Sequence, residues 1–375
     1  MTSTKDKKTN AKYFGNYNNL QYAKHTLIEE YLKGWYPKLG LGGYSGRILY
    51  IDTHAGRGKH DDGQSGSPVV AIQTLLGHSA RDAILAKSEV RFCFFEYNEE
   101  NVSSLRTTVA GLGKLPDGMV VDIESGDCFE QLTAALDQLE ASGQSLAAAF
   151  VFVDPFGFKL PSKLMRRLLN AGPVELFVNI MWRELFLGIS QAWKQPESTW
   201  PQVMTDIFGS DEWKAIDHGT PQVDRENQVI KIFSTAYGAK WATAMRMLQK
   251  NGTSRYLLAH FSNHPQGRIL MKDCMWKVCP SGGFYAHSAD NPDQKVLIKH
   301  EPDLSSLEAW VAALLSSRPH RWSELEALNL HNLWRNPHLN QVIKKLGKSG
   351  VIEQVNPPDK LTRKANPLLQ LSANP

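Results

Sequence analysis

From Arg47 to about Tyr285 the chain alternates short, β-rich apolar runs with longer stretches whose apolar residues recur at helical spacing. The runs predict strands over Arg47–Asp52, Val90–Glu96, Met119–Glu124, Phe150–Asp154, Val174–Ile180, Arg255–Phe261 and Phe284–His287. Most lack polar alternation, so helices are expected on both faces, as in a mostly parallel, doubly wound sheet of seven strands. Ahead of the first strand, Leu20–Trp35 has helical periodicity and is expected to pack on the sheet. Between the fifth and sixth strands, Trp182–Ser254 far exceeds the roughly 2 to 6 residues of an ordinary connection, which predicts a helical insertion. Beyond Asp290 the texture changes: SLEAWVAALLSS, RWSELEAL and LNQVIKKLGKSGVIEQV read as three short helices and, after Gly350, a strand, the order of a winged helix-turn-helix. The expected organisation is a basic arm at 1–19, an α/β domain at 20–290 with its insertion at about 182–254, and a winged-helix-like domain at 304–375.

Composition narrows the setting. The 375 residues are 42% hydrophobic, enough for an ordinary core, and no apolar run nears the roughly 20 residues that span a bilayer. The opening MTSTKDKKTNAK carries four lysines with no apolar stretch behind it, unlike a secretory signal. Cys93, Cys128, Cys274 and Cys279 are too few for a disulfide scaffold and none sits in a CxxC pair, so a reduced, cytoplasmic location is expected and no metal is assigned. The net charge of +4 is too small to announce a polyanionic partner. It conceals a local excess, with seven Lys/Arg against two acids from His331 to Lys364.

The candidate chemistry lies at strand ends. In RILYIDTHAGRG a buried strand ends in Asp52, and a loop with Gly56 and Gly58 precedes the helix-like SPVVAIQTLL. Small residues there let backbone approach a ligand at the carboxyl edge of an open α/β sheet, although a plain turn needs the same residues. RFCFFEYN ends in Glu96, a carboxylate suited to a ribose diol and equally to an exposed strand end. ESGDCFE puts Asp127 and Cys128 at the same rim, as an adenine-edge partner or a Gly-Asp turn. A nicotinamide dinucleotide site wants G-x-G-x-x-G with an acid about 20 residues on. Gly56-Arg57-Gly58-Lys59-His60-Asp61 lacks the third glycine, and Glu96 lies 38 residues beyond Gly58, so hydride transfer is disfavoured.

AAAFVFVDPFGFKLP ends its apolar run in Asp154-Pro155-Phe156-Gly157. With this tetrad, the four strand-end motifs in order resemble the class I S-adenosylmethionine-dependent methyltransferases. The resemblance implies a seven-stranded Rossmann-like sheet and S-adenosylmethionine as cofactor, with Ala55, Gly56 and Gly58 around its methionine part, Glu96 at its ribose and Asp127 at its adenine; Asp52 and His54 belong to the same cofactor motif, with His54 placed to touch the sulfonium side or the acceptor, or only to shape the turn. Asp154, Pro155 and Phe156 resemble the [D/N]-P-P-[Y/F/W] tetrad of amino-methylating enzymes, in the DPFG form of certain tRNA guanine-N2 methyltransferases. The implied catalytic roles are a grip on an exocyclic amine by Asp154 and a carbonyl, with Phe156 or Phe158 stacking on the base.

AKHTLIEEYLKGW followed by YIDTHAGRG also resembles the J-type bacterial 23S rRNA adenine-N6 methyltransferase, which implies that Lys24 and His25 lie near the cofactor or the acceptor mouth, with substrate binding as the expected role; helix-surface residues are the plain alternative. Roughly Tyr13 to Tyr285 is similar to the three-Cys-motif partner proteins, through the KHTLIEEYLKGWYP-like helix, IDTHAGRG, GSPVVA, FVDPFG and SNHPQGRILMKDCMWKV. That name implies a neighbouring three-cysteine, radical-S-adenosylmethionine-like partner and states no reaction. Trp182, directly after the fifth strand, is expected to line the acceptor rim or to pack. The expected activity is N-methyl transfer to an exocyclic amine of a nucleic-acid base, RNA ahead of DNA, with the basic tail as a handle. The reading from another class is a cofactor-binding, non-catalytic adaptor of the three-cysteine partner, which DPFG in place of DPPY keeps open.

Overall fold

The apolar runs Arg47–Asp52, Ala148–Val153 and Val174–Ile180 form strands buried on both faces, whereas Met119–Ser125 is mostly half-buried. A computed structural model describes residues 19–42, 46–280, 282–287, 301–355 and 360–372. The basic arm expected at 1–19 therefore lies, save for Asn19, outside the described residues, as does most of the linker after Asp290. By contact the chain divides into two compact units, Met1–Cys274 with Tyr285–Gln294, and Met275–Phe284 with Lys295–Pro375.

In the first unit, α1 (Asn19–Gly40) precedes β1 (Arg47–Asp52), α2 (Ser67–Leu76), α3 (Arg81–Leu85), β2 (Glu89–Glu96), α4 (Glu99–Ala110), β3 (Met119–Ser125), α5 (Cys128–Ala141), β4 (Ala148–Val153), α6 (Ser162–Asn170) and β5 (Val174–Ile180). Then follow α7 (Trp182–Lys194), α8 (Trp200–Phe208), α9 (Gln222–Tyr237), β6 (Trp241–Leu248), β7 (Ser254–Ser262), α10 (Pro265–Val278, of which the residues up to Cys274 belong to this unit) and β8 (Tyr285–His287). The sheet runs β3-β2-β1-β4-β5-β7-β6-β8. Strands β1 to β5 are mutually parallel and β7 is antiparallel to β5 and β6. This is a mostly parallel α/β sheet, as expected, but it has eight strands.

The extra strand corrects the insertion, whose helices end at Tyr237; Trp241–Leu248 is strand β6. WATAMRML is rich in Ala and Met, which favour helices. Pairing with β7 in a hairpin register from Trp241↔Ser262 to Leu248↔Ser254 overrides that preference.

The two faces of the sheet bury different layers. On one, Tyr50, Phe92, Phe150 and Phe177 form a continuous aromatic sheet, with ring centroids 5.8–6.2 Å apart, under Tyr31, Trp35 and Tyr36 of α1. On the other, Ile51, Val151, Val153, Leu176 and Val178 meet α5 to α9. Each such buried side chain contributes roughly 1.5–3 kcal/mol, so α1 is held along its length and its residues are fixed relative to the strand ends.

The second unit contains α11 (Ser305–Ser317), β9 (His320–Arg321), α12 (Trp322–Asn329), α13 (Asn336–Lys348), β10 (Ile352–Gln354) and β11 (Leu368–Leu371). Its three strands pair antiparallel in the order β10-β11-β9. Leu339, Val342, Ile343 and Leu346 line the buried stripe of α13, meeting Leu307, Val311, Trp322 and Leu325. Gln341, Lys344 and Lys348 stand exposed, and Lys345 pairs with Glu308 at 2.6 Å. Among the described residues no helix is long and apolar enough to cross a membrane.

Candidate active site

The order of strands reverses between β1 and β4, where an open α/β sheet leaves a crevice at its carboxyl ends. Asp52 closes β1 opposite Phe152, and Asp154 directly follows β4. Asp52 is fully buried, and burial pushes its carboxyl up to about 7, eased by the Ser67 hydroxyl and aggravated by Asp154. Its Oδ1 accepts the His54 amide at 3.2 Å, while Oδ2 has no hydrogen bond of ordinary geometry.

The loop after β1 is tied to the end of β2. The Ala55 amide donates to the Phe95 carbonyl (2.9 Å) and the Gly56 amide to Glu96 Oε2 (2.9 Å). Gly58 has φ +79°, and a Cβ there would lie 2.9 Å from Leu105 and 3.1 Å from Thr108, so a side chain is excluded. Buried Glu96 also accepts the Asn98 amide (2.8 Å) and Asn101 Nδ2 (3.3 Å) through Oε1. A carboxylate offers about four lone-pair positions; these bonds leave Glu96 capacity for one more. Asp127 caps α5, its Oδ1 accepting the Phe129 and Glu130 amides at 2.8 and 3.2 Å, and its Oδ2 lies 3.7 Å from Lys159 Nζ.

His54 and Cys128 stand between these groups. The half-buried His54 ring is held by Thr53 Oγ1 (2.8 Å) and lies edge-on to Phe129; burial pulls its pKa down to about 4, so it is neutral. Cys128 Sγ is 3.9 Å from His54 Nε2, and burial pushes the thiol up to about 12, which makes it a packing group and not a nucleophile.

Asp154 is gripped from two sides. Lys24 Nζ of α1 donates to Oδ2 at 2.6 Å and Asn179 Nδ2, near the end of β5, to Oδ1 at 2.5 Å. The Lys24 and Asp154 side chains are only 6% and 9% exposed. Burial alone would raise the Asp154 carboxyl; Lys24 and Asn179 outweigh it and hold the group below the usual carboxylate range. His25 is buried and kept neutral by desolvation, with Lys24 and His60 adding to the effect; its ring centroid lies 6.0 Å from that of His60. These side chains, the loop and Asp154 enclose a space of about 30 Å³, room for about one water. Gly157, at φ +93°, turns the chain after Phe156, whose ring is 54% exposed, while Pro155 is buried.

The structure thus brings together His54, Ala55, Gly56, Gly58, Asp154, Phe156, Lys24 and His25 around one small space, with Asp52 buried outside its lining but within electrostatic reach of Asp154 and Lys24. For two residues burial favours the packing alternative. Trp182 is buried in the core and stacks on Phe186 at 5.4 Å, and Phe158 is half-buried against Trp200 at 6.5 Å, so both pack with the insertion. Two residues passed over in the sequence enter: Asn179, the polar residue near the end of the apolar VELFVNI, and Tyr97, next to Glu96 and 78% exposed.

No family model matches the chain, and no curated protein matches it. Among solved structures, protein LPL1258 from Legionella pneumophila, of the DUF519 family, is 13% identical over 70% of this chain and 94% of that one, with a TM-score of 0.37. The cyclopropane synthase MmaA2 from Mycobacterium tuberculosis is 10% identical over 68% of this chain and 69% of that one, with a TM-score of 0.25. A geranyl diphosphate methyltransferase in complex with GPP and sinefungin is 12% identical over 62% and 78%, with a TM-score of 0.26. Likeness this remote assigns neither family nor activity, and the chemistry of the site stands on the residues described above.

Proposed function

We propose that the protein is an S-adenosylmethionine-dependent N-methyltransferase acting on an exocyclic amine of a nucleic-acid base, with RNA favoured over DNA. One observation carries this reading: a buried carboxylate, Asp154, kept ionised by Lys24 and Asn179, stands beside a glycine loop at the reversal point of the sheet and is followed by an exposed aromatic, Phe156.

The residues fit the cofactor by their chemistry. Asp52 Oδ2 is an uncommitted buried acceptor for an ammonium, Glu96 keeps acceptor capacity for a ribose hydroxyl, and Asp127 Oδ2 faces the rim with its other oxygen spent on capping. Tyr97 offers a ring face for the adenine. Bound there, the cofactor supplies an electrophilic methyl on a sulfonium. The chain's own contribution is positioning: Asp154 accepts from the amine that is to be methylated and orients its lone pair, which is where much of such a rate comes from. Phe156 stacks on the base, a contact worth roughly 1–3 kcal/mol. Gln341, Lys344 and Lys348 on α13, in a unit whose helix and strand order suits a winged helix, give the polyanion a handle.

The test is incubation of the purified protein with methyl-labelled cofactor and total RNA or DNA, beside Asp154→Ala. Label entering RNA with the native chain and not with the variant is the expected result. A second reading has its own observation: Lys24 fills the Asp154 oxygen that an amine has to approach, so the site is closed on itself. That suits a cofactor-binding, non-catalytic adaptor of a three-cysteine, radical-S-adenosylmethionine-like protein. Cofactor binding without label in any nucleic acid or in that partner supports the adaptor.

A further inference from the structure

At the opposite end of the strands, around the start of β5, lies a cavity of about 520 Å³ between α1 and the turn into α10. Its size falls in the roughly 300–1,000 Å³ range of small-molecule sites. Its walls are largely apolar, with Trp35, Leu39, Val174 and Leu270, and one acid, Glu175, lines it.

Glu175 is held in place by two buried partners. His260, wholly inaccessible, has Nε2 2.8 Å from Glu175 Oε2, and the Tyr31 hydroxyl donates to the same oxygen while lying 3.3 Å from His260 Nε2. His260 Nδ1 has no hydrogen-bond partner. Burying such a trio is costly compared with apolar packing of the same volume, and ionisable groups placed at this expense cluster at functional sites.

Both hydrogen bonds of Glu175 fall on Oε2, which leaves Oε1 uncommitted. Facing Oε1 is Gly267, in the first turn of α10. A Cβ there would lie 3.0 Å from Glu175 Oε1 and 2.9 Å from Ser262 Oγ, and the backbone at Gly267 is not in the left-handed region, so nothing in its conformation calls for glycine. The missing side chain keeps the free oxygen uncovered. Lys38, the cavity's other charged side chain, is exposed, and its long stem carries the ammonium into solvent.

We propose that this cavity is a second binding site, for a small planar amine or amidine whose N–H groups meet Glu175 Oε1 and whose apolar body lies against Trp35, Leu39 and Leu270. It is separate from the crevice at Asp154 and does not depend on the methyltransferase reading.

The test is calorimetric titration of the full chain with benzamidine, with thermal unfolding of each variant measured alongside. Saturable one-to-one binding is expected, weakened about 10-fold or more in Glu175→Gln through loss of a charge-assisted hydrogen bond. Gly267→Ala, which covers Oε1, and Leu39→Trp, which fills the cavity from its half-exposed edge, are expected to weaken binding as well. Asp154→Ala leaves it unchanged. The proposal is overturned if no saturable binding occurs up to millimolar benzamidine, if Asp154→Ala abolishes it, or if the affinity survives Glu175→Gln. Should Glu175→Gln fail to fold, Leu39→Trp decides, and unchanged affinity in that variant overturns the proposal.

Discussion

Replacing Lys24 with Met tests the core of the site, because it removes the charge that makes a buried Asp154 tolerable. The two side chains are 6% and 9% exposed and 2.6 Å apart, so solvent screens the pair little. Breaking a buried pair by deleting one partner costs about 3–5 kcal/mol, chiefly from the charge left behind. In Lys24→Met, Asp154 retains only Asn179, and burial then raises its carboxyl. The sign of the pH effect follows. In the native chain the depressed Asp154 pKa contributes stability that is present above the unfolded value and lost as pH falls through the folded one. In the variant the same group destabilises when ionised, so the deficit is largest near neutral pH and shrinks in acid, where Asp154 takes up a proton. Hydrogen-exchange mass spectrometry on β4 and β5 peptides reads this part of the sheet alone. About 3 kcal/mol corresponds to a loss of protection of roughly 100-fold at about pH 8, smaller at about pH 5 after correction for intrinsic rates. Lys24→Met/Asp154→Asn is expected to recover most of the loss, since no uncompensated charge remains. A loss below about 1 kcal/mol, equal at both pH values, refutes the view that this is a buried, mutually dependent pair.

Asp52→Asn is expected to stabilise the fold: a carboxyl carried from 3.8 to about 7 on burial imposes a penalty that is absent below about pH 4, grows to about pH 7 and is then constant, at most about 4 kcal/mol, read by chemical denaturation across that range. The same variant loses cofactor affinity. Glu96→Ala weakens cofactor binding, since it also frees the Gly56 and Asn98 amides, whereas Asp154→Ala leaves it nearly intact; equal losses in a calorimetric titration speak against the two roles. Trp182→Ala is expected to lower stability by about 3–5 kcal/mol as a core truncation, and a variant of native stability with altered RNA affinity returns Trp182 to the rim. Lys344→Ala and Lys348→Ala each reduce the slope of log affinity against log salt by roughly 0.7 on single strands, and an unchanged slope reassigns α13 to protein contacts.

The strands that position the site were legible because strands buried on both faces write continuous apolar runs, as β1, β4 and β5 do, while β2 alternates in burial until its last three residues. The candidate loop was legible for a related reason: Asp52, Glu96 and Asp154 each stand where an apolar run stops, which by itself marks the carboxyl edge. Strand β6 was not, since its Ala- and Met-rich segment becomes extended only through its hairpin with β7. Nor did the order of residues tell Trp182 and Phe158, which pack inward, from Tyr97 and Phe156, which stand exposed: an aromatic after a strand has the same local signature either way.

Local pattern, being a matter of neighbours along the chain, was enough for an α/β sheet with polar strand ends and a separate amphipathic tail. Partnership is a matter of distance in space. Lys24 meets Asp154 across 130 residues of chain, and Tyr31 joins Glu175 and His260 across 144 and 229, because α1 lies along the aromatic face of the sheet with one part at each edge. Whether a lysine is a solvated surface charge or the counter-ion of a buried acid depends on desolvation, which no single segment sets and only the assembled layers impose.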